Sequence, residues 1–245
     1  ITGASTETFI FAGTSLASGL TLTSDTTGGV EIVAGSSTSS GTTPPPSNTI
    51  VVSGGTTSSG LTISSGETIE VLSGGTVAAI TLVSGAVETV EAGGLDSGTY
   101  ISSGGNETVI GSANLDQVYG TQLVSAATAI VSNETVFAGG SVDLFVAGVT
   151  ADNLTVGSGG AININGHAVA SNTVIDGGTL DLQSPKATLS GTLTFSGSGT
   201  LGVSDKISAG YGDLAVISGF GAGDIIDMTS ATSVGAAGSA ATLSW

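Results

Sequence analysis

The chain is dominated by a degenerate repeat of about 20 residues punctuated by paired glycines at Gly54-Gly55, Gly74-Gly75 and Gly93-Gly94. ETIEVLSGGTVAAITLVSG (67–85) and AVETVEAGGLDSGTYISSGG (86–105) each give a short β-branched run, a turn, a second short run and another turn. One such unit has too little apolar surface to fold alone and must stack on its neighbours, so the period predicts a β-solenoid. At about 20 residues per coil, roughly twelve coils is the ceiling.

Hydrophobic residues make up 39% of the chain, too many for a disordered Gly/Ser linker, while aromatics at 4% are too few for a conventional large core. Val, Ile, Leu and Ala suit a narrow interior to which each strand contributes one or two side chains. The fold class expected is therefore all-β, a parallel β-helix closed by a C-terminal cap.

Nineteen acidic residues face only Lys186 and Lys206, with no arginine. Nucleic acid and anionic membrane surfaces are poor partners, because phosphate neutralisation needs Lys and Arg, and no nucleic-acid partner is expected. The scattered carboxylates read as a solubilising acidic surface, with divalent-cation binding as the sharper alternative. The absence of cysteine excludes disulfides and thiolate chemistry. No apolar run reaches the length of a membrane span, so no membrane insertion is expected. The opening ITGASTETF has no signal-peptide character, so export implies a leader already removed.

Three regions are expected. Residues 1–43 form a strand-bearing arm, with ETFIFAG (7–13), LTLTS (20–24) and VEIVAG (30–35) as strands. Pro44 to Pro46, which cannot donate ladder hydrogen bonds, mark a linker or a loop excursion. Residues 44–202 form the repeat body, its repeats running from Asn48. Within it the phrase Glu67-Thr68-Ile69, Glu88-Thr89-Val90, Glu107-Thr108-Val109 and Glu134-Thr135-Val136 is expected to mark equivalent positions, with Val71, Val90, Val109 and Val136 inside. The long third interval implies extra residues near 111–127, either a projecting contact loop or a degenerate coil. Residues 203–245 change character and read as a cap over the open coil end.

Catalytic chemistry finds little footing. His167, the only histidine, sits in an apparent turn with no second metal ligand or nucleophile beside it. Asp176 and Asp181 are the best candidate carboxylate pair for a glycosidase, with ordinary turn chemistry as the competing reading. Ice binding would need a regular threonine ladder, but Thr-x-Thr occurs only sporadically, as at Thr21 to Thr23 and Thr192 to Thr194, which leaves solvent-facing strand hydroxyls and sugar modification as readings of the Ser and Thr content.

NTIVVSGGTTSSGLTISSGETIEVLSGGTVAAITLVSG resembles the AIDA-type repeats of bacterial autotransporter adhesins over residues 48–110, and more loosely over 127–180. The resemblance implies a right-handed β-helix on the cell surface, adhesion, self-association and heptose attachment to Ser and Thr. The sequons at Asn106, Asn133 and Asn153 read as repeat phrasing. A second likeness lies in VISGFGAGDIIDM (216–228), which is similar to the phrase ending many RTX and serralysin-type calcium β-rolls. It makes Asp224 and Asp227 the candidate metal ligands and calcium at the cap the one candidate cofactor. The calcium-binding nonapeptides of that family are missing, which favours a turn and capping role for both.

The function expected is that of an extracellular, surface-located bacterial solenoid acting by self-association, as a homo-oligomer or a fibre whose N-terminal arm exchanges a strand. A cell-surface or glycan receptor is a further possible partner. The alternatives are a carbohydrate-active β-helix enzyme and a passive glycan-binding module.

Overall fold

The computed structural model describes residues 20–24, 30–34, 48–184, 186–203 and 215–227. All regular elements among them are β-strands. The chain divides between Pro46 and Ser47 into two units. In the first, Leu20–Ser24 pairs antiparallel with Val30–Ala34. ETFIFAG and the three prolines lie outside the described residues.

The second unit is a β-solenoid of three parallel sheets. Sheet 1 has ten strands, from Thr49–Val52 to Ile225–Asp227; sheet 2 has eight, from Thr57–Ser59 to Thr188–Ser190; sheet 3 has nine, from Thr62–Ile63 to Val216–Ser218. Each coil gives one strand to each sheet in turn, so sheet 2 counts eight complete coils. The strands at 216–218 and 225–227 pair in parallel with 192–194 and 200–202, so the tail phrase continues the stack.

Three corners close each coil, and their chemistry explains the repeat. Leaving sheet 1, Leu72 to Gly75 form a turn in which Gly75 N donates to Leu72 O and Gly74 has φ +75, the backbone of a type II turn. Gly74 supplies the left-handed conformation. Gly75 has a different reason: a Cβ there would be driven into the carbonyl oxygen of Val52 on the coil below. Between sheets 2 and 3 a single left-handed residue makes the bend, in turn Gly60, Ala79, Gly98, Leu115, Asn133, Asn153, Asn172 and Gly191. The return to sheet 1 repeats the type II turn, as at Val83 to Ala86, with Gly85 left-handed.

Four-residue strands such as Thr68–Val71 alternate half-buried and buried residues, Ile69 and Val71 pointing inward. Filling such a position with Val or Ile contributes about 1.5–3 kcal/mol each. Val71, Val90, Val109 and Val136 are all fully buried, as expected. The phrase used to align them is not in register, however. Val71, Val90 and Val109 stack nineteen residues apart in sheet 1, whereas Val136 belongs to sheet 3 and stacks on Val118. Glu67 is also displaced, because the residue aligned with Glu88 is Ile69.

The expected insertion near 111–127 is instead a contraction. Val109 stacks on Val124, only fifteen residues on. Two residues, Ile110 and Gly111, replace a four-residue corner, and Tyr119 and Gly120 replace another. A Cβ at Gly111 would strike the carbonyl oxygens of Glu91 and Gly94, and one at Gly120 those of Gly105 and Ser102.

Candidate functional site

Stacking converts scattered hydroxyls into columns. Along sheet 3 the outward position reads Thr62, Thr81, Tyr100, Gln117, Thr135, Thr155, Val174 and Thr194, each beside the next. Sheet 2 presents Thr57, Thr76, Leu95, Ser112, Ile130, Thr150, Val169 and Thr188 in the same way. Parallel strands lie about 4.8 Å apart, so neighbouring hydroxyls, Thr62 and Thr81 or Thr135 and Thr155 on sheet 3 and Thr57 and Thr76 on sheet 2, stand at that spacing. These columns are invisible to a Thr-x-Thr pattern, which runs along a strand, whereas the repetition runs across strands.

Counting from Thr49–Val52, coils three to five span the strands from Val87–Val90 to Thr135–Val136 and carry an aromatic stack on the same side. Tyr119 lies flat against Phe137, with centroids 4.4 Å apart and planes 3° from parallel, and Tyr100 leans on Tyr119 at 5.1 Å. At the neighbouring corner Asn133 donates to Asn114 at 2.8 Å and Asn153 donates to Asn133 at 3.2 Å. The sequon asparagines 133 and 153 are therefore corner residues tied into a ladder, consistent with repeat phrasing.

Inside the same three coils the hydrocarbon core gives way to acid. Sheet 1's inward column runs Ile69, Glu88, Glu107, Gln122 and Val142. At the bend into sheet 3 the inward residues are Ile80, Thr99, Asp116, Glu134 and Leu154, and Asp96 enters from sheet 2 beside Val77. Glu88, Asp96, Glu107, Asp116 and Glu134 are all buried, together with Thr99 and Gln122. Five of the nineteen carboxylates thus sit in the core, correcting the reading of the acids as a surface feature.

Thr99 and Gln122 organise this core. Thr99 Oγ1 donates to Asp96 Oδ1 at 2.8 Å, and its backbone N–H to Asp116 Oδ1 at 2.8 Å. Gln122 Nε2 faces Glu107 Oε2 at 2.8 Å, Asp116 Oδ2 at 3.2 Å and Glu134 Oε1 at 3.2 Å. Several oxygens accept no hydrogen bond from an N–H or a hydroxyl: Glu88 Oε1, Asp96 Oδ2, Glu107 Oε1, Gln122 Oε1 and Glu134 Oε2; the carboxyls of Asp96 and Asp116 also hydrogen-bond to each other. Carboxylate oxygens of Glu88, Asp96 and Glu107 lie within 4.8 Å of one another. Burial, reinforced by the neighbouring carboxylates, raises Glu88, Glu107 and Asp116 well above the usual range. Burial likewise lifts Asp96 to about 6 and Glu134 to about 8.

The residues singled out from sequence lie elsewhere. Asp224 closes a turn, accepting from Gly221 N–H at 2.8 Å and from Gly199 N–H at 3.1 Å. Asp227 is exposed and stacks on Gly202. His167 is exposed in a turn. Asp176 and Asp181 sit on different sheets, 3 and 1, Asp176 taking a hydrogen bond from Ser196 Oγ at 2.9 Å. They do not converge on one groove.

No family model matches the chain, and no curated protein matches it. Among solved structures it is similar to a TibC-catalysed hyper-glycosylated fragment of TibA, at 26% identity and a TM-score of 0.46, over 73% of this chain and 77% of that one. That likeness carries no functional argument, and what stands on the coordinates themselves is the three-sheet β-solenoid.

Proposed function

We propose that this chain is an extracellular, surface-located solenoid that acts through its outer faces in adhesion and self-association. The observation that carries the reading is the column of outward hydroxyls on sheet 3. A rigid stack presents its outward side chains at a fixed repeat, with hydroxyls adjacent at Thr62 and Thr81 and at Thr135 and Thr155, which gives a second copy or a surface polymer several weak, simultaneous contacts. The AIDA-type phrasing of residues 48–110 points the same way, and the column offers acceptors for sugar attachment. Chemistry on a substrate is disfavoured because the clustered acids are sealed in the core and Asp176 and Asp181 occupy different faces.

Beads coated with the protein test the reading. The wild type should clump, and the triple variant Thr81→Asp, Thr135→Asp, Thr155→Asp, which places repelling carboxylates along the column, should not, with its β-sheet circular dichroism unchanged. Clumping by the triple variant at the wild-type rate would refute a role for this face.

The stack of Tyr100, Tyr119 and Phe137 supports glycan binding as a second reading, since partly exposed aromatic faces suit sugar rings. Loss of retention on a glycan array by Tyr119→Ala would favour it.

A further inference from the structure

From the geometry of the acidic core we infer that coils three to five enclose a divalent cation held by Glu88, Asp96 and Glu107, and that calcium is the ion the site takes. Three carboxylates from two coils, Glu88 and Asp96 on one and Glu107 on the next, bring oxygens within 4.8 Å of one another. Each is buried, and each has one oxygen that accepts no hydrogen bond from an N–H or a hydroxyl. Gln122, an uncharged residue of the following coil, is fully buried and leaves its amide oxygen unpartnered while its nitrogen holds Glu107, Asp116 and Glu134. Buried oxygens without donors are costly, and so many together call for a counter-charge. The sequence of these coils does not supply one: Lys186 and Lys206, the whole complement of Lys and Arg, fall outside residues 86–140.

The donor set chooses among cations. Carboxylate and amide oxygens, with no imidazole or thiolate, suit a hard ion rather than zinc or copper. Magnesium demands a near-ideal octahedron and usually keeps several waters, whereas calcium takes an irregular set of protein oxygens. Oxygens gathered within 4.8 Å in a buried site fit calcium. The fifteen-residue coil, with its two abbreviated corners, places Glu107 and Asp116 in the tightest loop of the stack. The hydrocarbon positions on either side, Ile69 and Ile80 below and Val142 and Leu154 above, seal the site from solvent. This inference is independent of what the outer faces bind.

The full-length chain, produced with calcium in the medium and gel-filtered into calcium-free buffer, tests it by elemental analysis and thermal melting at pH 8. One calcium per chain is expected, retained through filtration because the site is buried. Unfolding releases the ion to a chelator, so EDTA should lower the melting temperature by at least about 10 °C. Glu88→Gln with Glu107→Gln should lose the ion and its EDTA response, whereas Asp224→Asn with Asp227→Asn should keep both. Absence of bound metal from the wild type, melting at pH 8 that ignores EDTA and calcium alike, or loss of the ion from the Asp224/Asp227 variant would each overturn the assignment. The first two would mean that protons alone neutralise the core.

Discussion

Leu115 shows how stacking can hold a side chain in a conformation it disfavours. It makes the single-residue bend between sheets 2 and 3 with φ +67, although an L residue other than glycine or asparagine resists that region. Its side chain is 55% exposed, so little packing offsets the strain. Leu115→Asn, which extends the ladder formed by Asn133 and Asn153, is expected to raise stability by about 1 kcal/mol, read as an upward shift in the denaturant midpoint. Val90 lies at the other extreme, fully buried two residues from Glu88. Val90→Asp should cost about 3–5 kcal/mol, and thermal unfolding unchanged by it would contradict the register described here. Glu134 ties stability to pH. Its folded pKa of about 8 stands above the ordinary glutamate value of 4.5, so between those values the folded state binds more protons than the unfolded chain. With chelator present, its contribution is intact below about pH 4.5 and is lost as pH rises towards 8, at up to about 1.4 kcal/mol per pH unit. Glu134→Gln should flatten that part of a stability-against-pH curve.

The coils were largely legible in the sequence because their corners are. Glycine pairs mark the type II turns, and β-branched runs mark the strands between them. The register was less legible, for a reason visible in two adjacent coils. Thr68-Ile69-Glu70-Val71 alternates cleanly and declares Ile69 and Val71 as inward. Val87-Glu88-Thr89-Val90 does not, since valines three apart cannot both face one side, and either Glu88 or Thr89 must turn in. Aligning the two coils at a shift of nineteen residues places Glu88 beside Ile69, and that was the available signal. Matching the Glu-Thr phrase instead obscured it, shifted Glu67 by two positions and made the contracted coil look expanded. That coil depends on its glycines: Gly120→Ala, which drives a methyl group into the backbone oxygens of Gly105 and Ser102, should destabilise the solenoid by about 1–3 kcal/mol or more. Chemical denaturation of the variant reads the difference. The acidic core could not be assembled from sequence spacing, because its members come from all three sides of the coil.

Eight coils at about 4.8 Å each make a body only about 40 Å long, so a fibre requires subunits to add end to end. The first strands, Thr49–Val52, Thr57–Ser59 and Thr62–Ile63, are the edges of their three sheets, and Ile50 and Val51 are exposed there. Such an edge is a template for a strand from another subunit. On the self-association proposal, residues 1–43, which include the paired segments Leu20–Ser24 and Val30–Ala34, supply that strand. One heterologous contact, repeated without closing, propagates a fibre. Electron microscopy of the purified protein beside a variant lacking residues 1–43 decides the matter. Filaments of uniform width from the full chain, and short discrete rods with native β-sheet signal from the truncated one, are the predicted result. Discrete particles from the full chain at every concentration, or filaments of normal length from the truncated one, would contradict it.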